Sequence, residues 1–431
     1  MNDTAPQTTI GLDVGDRHSV FCVLDARCEV LEEGRVATTP KSIVKEFKRR
    51  ERAIVALEAG THSAWIADAL EELGHVVLVA NPRQLELITK SHRKNDRNDA
   101  KKLARLARLD PGLLSPIKHR AKELRAHLAV IRARSALVQT RTKLINTVRG
   151  LLKAAGERVK KCDADRFARV AREEVSDALR PVIAHLLKVV EETTQAIKAH
   201  DEMIEELAAK TYPVTSLLTP VPGIGTLTAL AFVLTVGDPH RFKKSRMVGA
   251  YFGLVPRQQQ SAKSDPQLRI TKAGDGLVRR LLVGSAHCIL KESNKTESDL
   301  RTWGLGIAAR GGKNAKKRAV VALARKLAVV LHRLWVTGEA YEAVRSPRSK
   351  GSENESAPSK KAVDERPRSA KTTARKDSPC GELRGRPTRV GNAQRRPRKG
   401  GRVSHALPDH GPPHTAKTRG AAPRRRPAAA R

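Results

Sequence analysis

Thr9-Ile10-Gly11-Leu12-Asp13-Val14 is an apolar run interrupted near its end by one carboxylate, and Ile54-Val55-Ala56-Leu57-Glu58 has the same design further along the chain. What lies around these two runs decides the fold. Thr9–Val14, Ser19–Leu24 and Glu29–Thr38 read as three strands joined by short polar turns, the pattern of an antiparallel meander. Lys41–Arg52 has helical periodicity, Ala53–Glu58 is a buried-type strand, Ser63–Leu73 is a second helix and His75–Ala80 a further strand. With a helix starting near Asp96, the order is β-β-β-α-β-α-β-α.

That order is the order of the RNase H-like fold, a mixed α/β sheet flanked by helices. Asp13 and Glu58 then fall at strand ends, each with a glycine two residues on (Gly15, Gly60), where backbone can pass close to a phosphate or ion. Asp96 and Asp99, in Lys94-Asn95-Asp96-Arg97-Asn98-Asp99-Ala100, stand at i and i+3 near a helix start, so both can face one point. Four clustered carboxylates repel one another unless cations sit between them. Magnesium (Mg2+) prefers oxygen ligands and keeps several waters, which suits a few carboxylates plus a substrate phosphate, and two such ions can flank an in-line displacement at phosphorus. The plainer reading is that strand-end acids cap turns and that Asp96 and Asp99 cap a helix. It serves for any one acid and weakens when all four occur on the right elements of one fold.

The rest of the chain divides by composition. Between residues 119 and 210 the strand signal gives way to heptads: Leu124, Ile131, Val138, Ile145 and Leu152 form one seam, with Val130, Leu137, Leu144 and Leu151 beside it. Ile183, Val190, Ile197 and Ile204 form a second seam after a break at 156–172. A coiled-coil hairpin within one chain and a homodimeric coil both satisfy this pattern. Residues 214–343 read as mostly helical, with turns at Pro222-Gly223, Gly237-Asp238-Pro239 and Gly274-Asp275-Gly276. Residues 346–431 are rich in Arg, Lys, Pro, Gly, Ser and Ala and poor in large apolar side chains, so a disordered basic tail is expected, or accidental sequence at the end of a rearranged gene.

The net charge of +38 over 431 residues calls for a polyanionic partner, of which nucleic acid is the natural candidate. No apolar run is long enough to span a bilayer and no secretory leader is seen, so the expected location is cytoplasmic and nucleoid-associated, with no membrane partner. Cys22, Cys28, Cys162, Cys288 and Cys380 lack metal-ligand spacing and are expected to be reduced and structural.

Two further strings stand out in the C-terminal half. Leu218-Thr219-Pro220-Val221-Pro222-Gly223-Ile224-Gly225-Thr226 looks like the turn of a helix-hairpin-helix element, in which Gly223 and Gly225 would let backbone N–H groups approach a DNA phosphate; an ordinary interhelical loop is the alternative. Ala250-Tyr251-Phe252-Gly253-Leu254-Val255-Pro256 leads to Ser261 and then to Arg269-Ile270-Thr271-Lys272-Ala273-Gly274-Asp275.

Taken together, these blocks resemble the insertion-sequence one-ten family of transposases, over roughly residues 8–340. The N-terminal domain of that family, here 8–115, is similar to the junction resolvase RuvC, and its DEDD tetrad is matched by Asp13, Glu58, Asp96 and Asp99. The resemblance implies that Ser261 is the catalytic nucleophile of a C-terminal transposase domain. Family members usually carry Ser-Gly there, whereas this chain carries Ser261-Ala262 with Ser264 close behind; the separation from the Ile-Thr-Lys string favours Ser261. It further implies magnesium-dependent cutting and rejoining of DNA at element ends and target, a structured noncoding guide RNA, and a homodimer or homotetramer. Arg269 and Lys272 become candidate phosphate clamps, or solvated loop residues. The rival functions are a hydrolytic nuclease or junction resolvase using only the acids, and a non-catalytic nucleic-acid-binding protein.

Overall fold

A computed structural model describes residues 7–83, 95–261, 264, 266, 268–293 and 297–344. The basic tail expected at 346–431, Cys380, Lys94 and Ala262 lie outside the described residues. The first half of the chain runs β1 (Thr9–Asp13), β2 (His18–Leu24), β3 (Val30–Ala37), α1 (Pro40–Lys48), β4 (Ile54–Glu58), α2 (Ser63–Glu72), β5 (Val76–Ala80) and α3 (Asp96–Leu109). The strands form one mixed five-stranded sheet in the order β3-β2-β1-β4-β5, with β1 antiparallel to β2 and parallel to β4. The element order is the expected one. Helix α1 ends at Lys48, short of Arg52, and Arg50 beyond it turns its guanidinium onto both carboxylate oxygens of Glu32 in β3 (2.9 Å each) and over the Phe21 ring.

Alternation along the strands gives the sheet two different faces. Ile10, Leu12, Phe21, Val23, Val55, Leu57 and Val79 meet Ile43 and Phe47 of α1 and Ile66 and Leu70 of α2. Each fully buried Leu, Ile or Phe here contributes roughly 1.5–3 kcal/mol. The opposite face is small at its centre, with Gly11, Cys22, Ala56 and Ala80 lying under Ala100, Leu103, Ala104 and Ala107 of α3, and Leu24, Ile54 and Leu78 around them. Small side chains on both partners let α3 lie close against the middle of the sheet.

Beyond α3 the chain is largely helical. α4 (Lys122–Ala154) and α6 (Arg180–Glu206) pack antiparallel, with Arg134 paired to Asp201 and Arg141 Nη1 reaching Thr194 Oγ1 at 3.3 Å. The apolar seams are filled within one chain: Ile131, Ile145, Leu152, Ile183, Val190, Ile197 and Ile204 are buried, Leu124 and Val138 half-buried, and Leu151 exposed. In the break between the seams, α5 (Phe167–Glu174) closes the tip by burying Phe167, Ala168 and Ala171 against Ile145, Val148 and Leu187.

The last described region holds α7 (Thr215–Leu218), α8 (Thr226–Val236), α9 (Met247–Tyr251), α10 (Gly276–Leu290), α11 (Asp299–Ala309) and α12 (Ala315–Thr337). Every residue of α8 from Thr228 to Val236 is buried, so this helix is the centre of the region, and Leu128 and Ile131 at the base of α4 join its core. Among the described residues no helix is long and apolar enough to cross a membrane. The four described cysteines are thiols.

Candidate active site

The parallel register of β1 and β4 ends on Leu12 opposite Leu57, which brings the next residues, Asp13 and Glu58, to the same edge. Both belong to the alternation that faces α3, and both line a cleft of about 330 Å³ together with Val14, Gly15, Asp16, Ala59, Gly60, Thr61 and His62. Two of the expected acids therefore do meet at one opening. The glycines beside them play different parts. A Cβ on Gly15 would collide with the carbonyl oxygen of His18 in the β1–β2 turn, so Gly15 serves the chain's own turn, whereas Gly60 faces open space.

Asp96 and Asp99 occupy the first turn of α3. The helix is capped by Asn95, whose side chain accepts from the Arg97 N–H at 3.1 Å, so neither acid is used as the cap. Their surroundings differ: Asp96 is exposed, while the Asp99 side chain is 8% exposed and has the Lys102 ammonium 3.4 Å away. The positive end of the helix dipole stabilises negative charge at both positions. Neither residue lines the cleft of Asp13 and Glu58, and among the described residues no three acidic, His or Cys side chains are gathered at metal-binding distance.

Two residues not singled out from sequence share the cleft. Asp16, its side chain 92% exposed, follows Asp13 around the β1–β2 turn, and His62 precedes α2 on the loop that leaves Glu58. That loop is held by Ser63, whose Oγ donates to the Gly60 carbonyl (2.8 Å), accepts from the Gly60 N–H (3.0 Å), and meets His119 Nε2 at 3.0 Å. Burial, with Arg125 nearby, lowers the pKa of His119. The next residue, Arg120, reaches into the C-terminal region, donating to the Thr235 carbonyl (2.8 Å) and the Tyr251 hydroxyl (2.9 Å). The spacing His62-x-x-Trp65 at a helix start was the available sequence signal for this corner.

Ser261 stands elsewhere, on a two-stranded ribbon that interrupts the helices. Arg257 N–H donates to Arg269 O (2.9 Å), Thr271 N–H to Val255 O (2.9 Å) and Lys272 N–H to Gly253 O (3.1 Å). At the exposed tip Ser261 and Ser264 exchange backbone hydrogen bonds of 3.0 and 2.7 Å. The base of the ribbon is where the motif glycines act. Gly253 and Gly274 both have positive φ (64° and 67°); a Cβ on Gly253 would strike the Ala273 backbone, and one on Gly274 the Tyr251 carbonyl. Arg279 of α10 ties the two sides, donating to Phe252 O (3.1 Å) and Ala273 O (2.7 Å), and burial lowers its pKa. Asp275 caps α10 through Oδ1, bonding the Leu277 and Val278 N–H groups, and its Oδ2 lies 3.3 Å from Arg132 on α4. Arg269 and Lys272 are exposed, and Lys272 adopts a left-handed φ of 55°.

In the glycine turn, Gly223 has φ 75°, and a Cβ there would come within 2.9 Å of the Ser285 carbonyl, so this glycine lets the turn pack on α10. Gly225 begins α8 without a side-chain cap and faces open space.

Comparison with known proteins gives consistent matches across both halves. Residues 10–156 match a DEDD transposase family model of the IS110 group, described as "Transposase", and residues 215–300 match one described as "Transposase IS116/IS110/IS902 family". Among curated relatives, the transposase for insertion sequence element IS1111A of Coxiella burnetii is 30% identical over 341 residues, 77% of this chain and 90% of that protein. The transposase for insertion sequence element IS1328 of Yersinia enterocolitica is 30% identical over 286 residues, covering 64% and 81% respectively.

Proposed function

Since this chain belongs to the IS110 family of insertion-sequence transposases, enzymes that cleave and rejoin DNA, we propose that it cuts and transfers DNA strands through an acid cleft on the sheet edge and a serine on the ribbon. The observation that carries this reading is the meeting of Asp13 and Glu58 in one polar cleft at the ends of adjacent parallel strands. The strand and helix order supports an RNase H-like, RuvC-like domain, and the α4–α6 pair supports the coiled-coil hairpin. Asn95 as the cap of α3 leaves Asp96 and Asp99 available to complete the tetrad around bound DNA.

The donor set fits a hard divalent cation: Asp13 and Glu58 supply oxygen ligands in an open, polar cleft with room for water and a phosphate oxygen. Magnesium bound there would neutralise charge on the scissile phosphate and favour deprotonation of the attacking oxygen. In the proposed step the Ser261 Oγ–P bond forms, the P–O bond to one strand breaks, and the proton lost by the serine ends on the hydroxyl of the released strand. The phosphodiester energy is kept in the protein–DNA bond, and the same step in reverse joins a different end. The exposure of Arg269 and Lys272 on the other arm of the ribbon supports a role in meeting phosphates, and the Gly223–Gly225 turn would meet the backbone of the duplex. Ser261 is not among the residues that line the cleft, so the two centres come together on binding DNA or a second copy. With the apolar seam filled inside one hairpin, a dimer or tetramer would form through other surfaces.

The family resemblance implies a structured guide RNA encoded by the element, with base pairing supplying the sequence choice, and the net charge of +38 suits nucleic-acid partners in general. The test is to incubate the protein with magnesium, the element's junction DNA and its flanking transcript, and to look for protein-linked DNA on a denaturing gel. An adduct lost in Ser261→Ala and in Asp13→Ala supports the serine and metal reading. Free cleaved ends persisting in Ser261→Ala would replace it with a metal-dependent nuclease using the acids alone.

A further inference from the structure

The cleft that holds Asp13 and Glu58 also contains Asp16, so three carboxylates surround the place where a phosphodiester must enter. Among the residues lining it, Thr61 and His62 are the side chains able to donate a hydrogen bond. Of these, His62 is oriented by a neighbour. The indole Nε1–H of Trp65 points at His62 Nδ1 across 3.2 Å, and the two rings stand edge to face with centroids 6.1 Å apart. An indole nitrogen only donates, so Nδ1 is the acceptor and the imidazole hydrogen resides on Nε2. Nε2 lies 3.5 Å from Asp16 Oδ1, at the long limit of a hydrogen bond and on an almost fully exposed carboxylate. That contact is weak enough for a phosphate oxygen to replace. Nor is the ring occupied in capping: His62 precedes the first turn of α2, and its side chain makes no cap hydrogen bond.

We propose that His62 is a catalytic residue of the acid cleft, whose Nε2–H, oriented by Trp65, donates a hydrogen bond to a non-bridging oxygen of the phosphate being cut. The same tautomer excludes a role as a metal ligand, because the nitrogen facing the cleft carries a hydrogen in place of a lone pair. Charge on the non-bridging oxygens is met by a fixed donor, in the manner of donors preorganised for developing charge. This inference rests on the cleft being the site of phosphoryl transfer.

The experiment compares the parent with His62→Ala, His62→Gln, Trp65→Phe and Asp13→Asn on the element's junction DNA, with its flanking transcript and magnesium. Cleavage rates are measured at saturating DNA, using the normal phosphate and each phosphorothioate diastereomer at the scissile position. His62→Ala is expected to lose about 100-fold in rate, the usual scale for one such donor, with DNA affinity unchanged. His62→Gln, which carries an N–H near the same position, restores most of the rate. Trp65→Phe gives an intermediate loss. For one diastereomer the difference between parent and His62→Ala largely disappears, because sulfur accepts hydrogen bonds poorly. A parent-like rate in His62→Ala beside an inactive Asp13→Asn would overturn the role of His62 alone. So would an unchanged maximal rate with a higher magnesium requirement, which would make His62 a ligand. Full activity in Asp13→Asn would remove the cleft itself as the reacting site, and this proposal with it.

Discussion

Gly11 of β1 lies directly beneath Ala100 of α3: a Cβ on Gly11 would come within 2.5 Å of the Ala104 nitrogen and closer still to the Ala100 carbonyl oxygen. The obstruction is helix backbone, which has no rotamer to change. Gly11 is also two residues from Asp13, and Ala100 is one from Asp99, so this contact sets how close the Asp13–Glu58 pair comes to Asp96 and Asp99, the four acids proposed above to act together.

Gly11→Ala is therefore expected to destabilise the protein by about 1–3 kcal/mol, the usual cost of forcing a methyl into a packed site, and to reduce DNA cleavage more than DNA binding. Gly60→Ala, at a position facing open space, should stay within about 0.5 kcal/mol of the parent. Urea unfolding of both variants measures this. Equal stabilities would mean that α3 moves away from the sheet without penalty.

Arg279 is expected to act on Ser261 through the ribbon. Arg279→Ala leaves the Phe252 and Ala273 carbonyls without the donor that joins them, and a reacting group displaced by about 1 Å can lose on the order of 100-fold in rate. The yield of protein-linked DNA should fall at least tenfold while Kd for DNA stays the same. Arg279→Lys, which reaches one carbonyl, should recover part of it. An unchanged adduct yield in Arg279→Ala would show that the ribbon holds its shape by its glycine contacts alone.

Stability should fall on mild acidification. Burial lowers the pKa of His75, whose Nδ1 accepts from the Ala53 N–H (3.2 Å) and whose Nε2 donates to Phe47 O (3.2 Å). Above the ordinary histidine value of about 6.5, folded and unfolded chains are both neutral at this position and its contribution is intact. As pH falls below that value the unfolded chain takes up the proton first, and stability is lost until the folded pKa is passed. His119 shifts in the same direction. The Tm should therefore decline from pH 7 to pH 5, with a shallower decline in His75→Gln. An identical slope in that variant would locate the acid sensitivity elsewhere.

Much of this was legible in the sequence because it is local. Strand alternation and heptads report burial over a few residues, which is why Asp13 and Glu58 could be placed at strand ends, Ile131 and Ile145 in one seam and Ile183 and Val190 in a second. What could not be read depends on residues far apart in the chain. The glycine of closest approach is Gly11, whose partner is some ninety positions away, and neither Gly15 nor Gly60 has that part. Arg279 acquires its role from two carbonyls that only the ribbon brings together. The choice between an internal hairpin and a dimeric coil was open because the same heptads serve both, and the Arg134–Asp201 and Arg141–Thr194 contacts belong to the hairpin. Asn95 as the cap of α3 was readable in principle, since Asn favours that position, but Asp96 beside it favours the position equally.

The long helix α4 belongs to two cores at once, with Leu128 and Ile131 rooted in the C-terminal region and Ile145, Val148 and Leu152 in the small core at the tip. At 1.5 Å per residue these anchor points are about 20 Å apart, joined by a stretch that needs only its heptad phase to stay matched with α6. Such an arm is a spacer whose length is adjustable in quanta. Adding or removing whole heptads from both helices would carry the tip core nearer or farther with little change of heading, whereas a single inserted residue would swing it about 100° around the arm. The reach of such an arm can therefore change while the Asp13–Glu58 cleft and the ribbon that carries Ser261 stay the same.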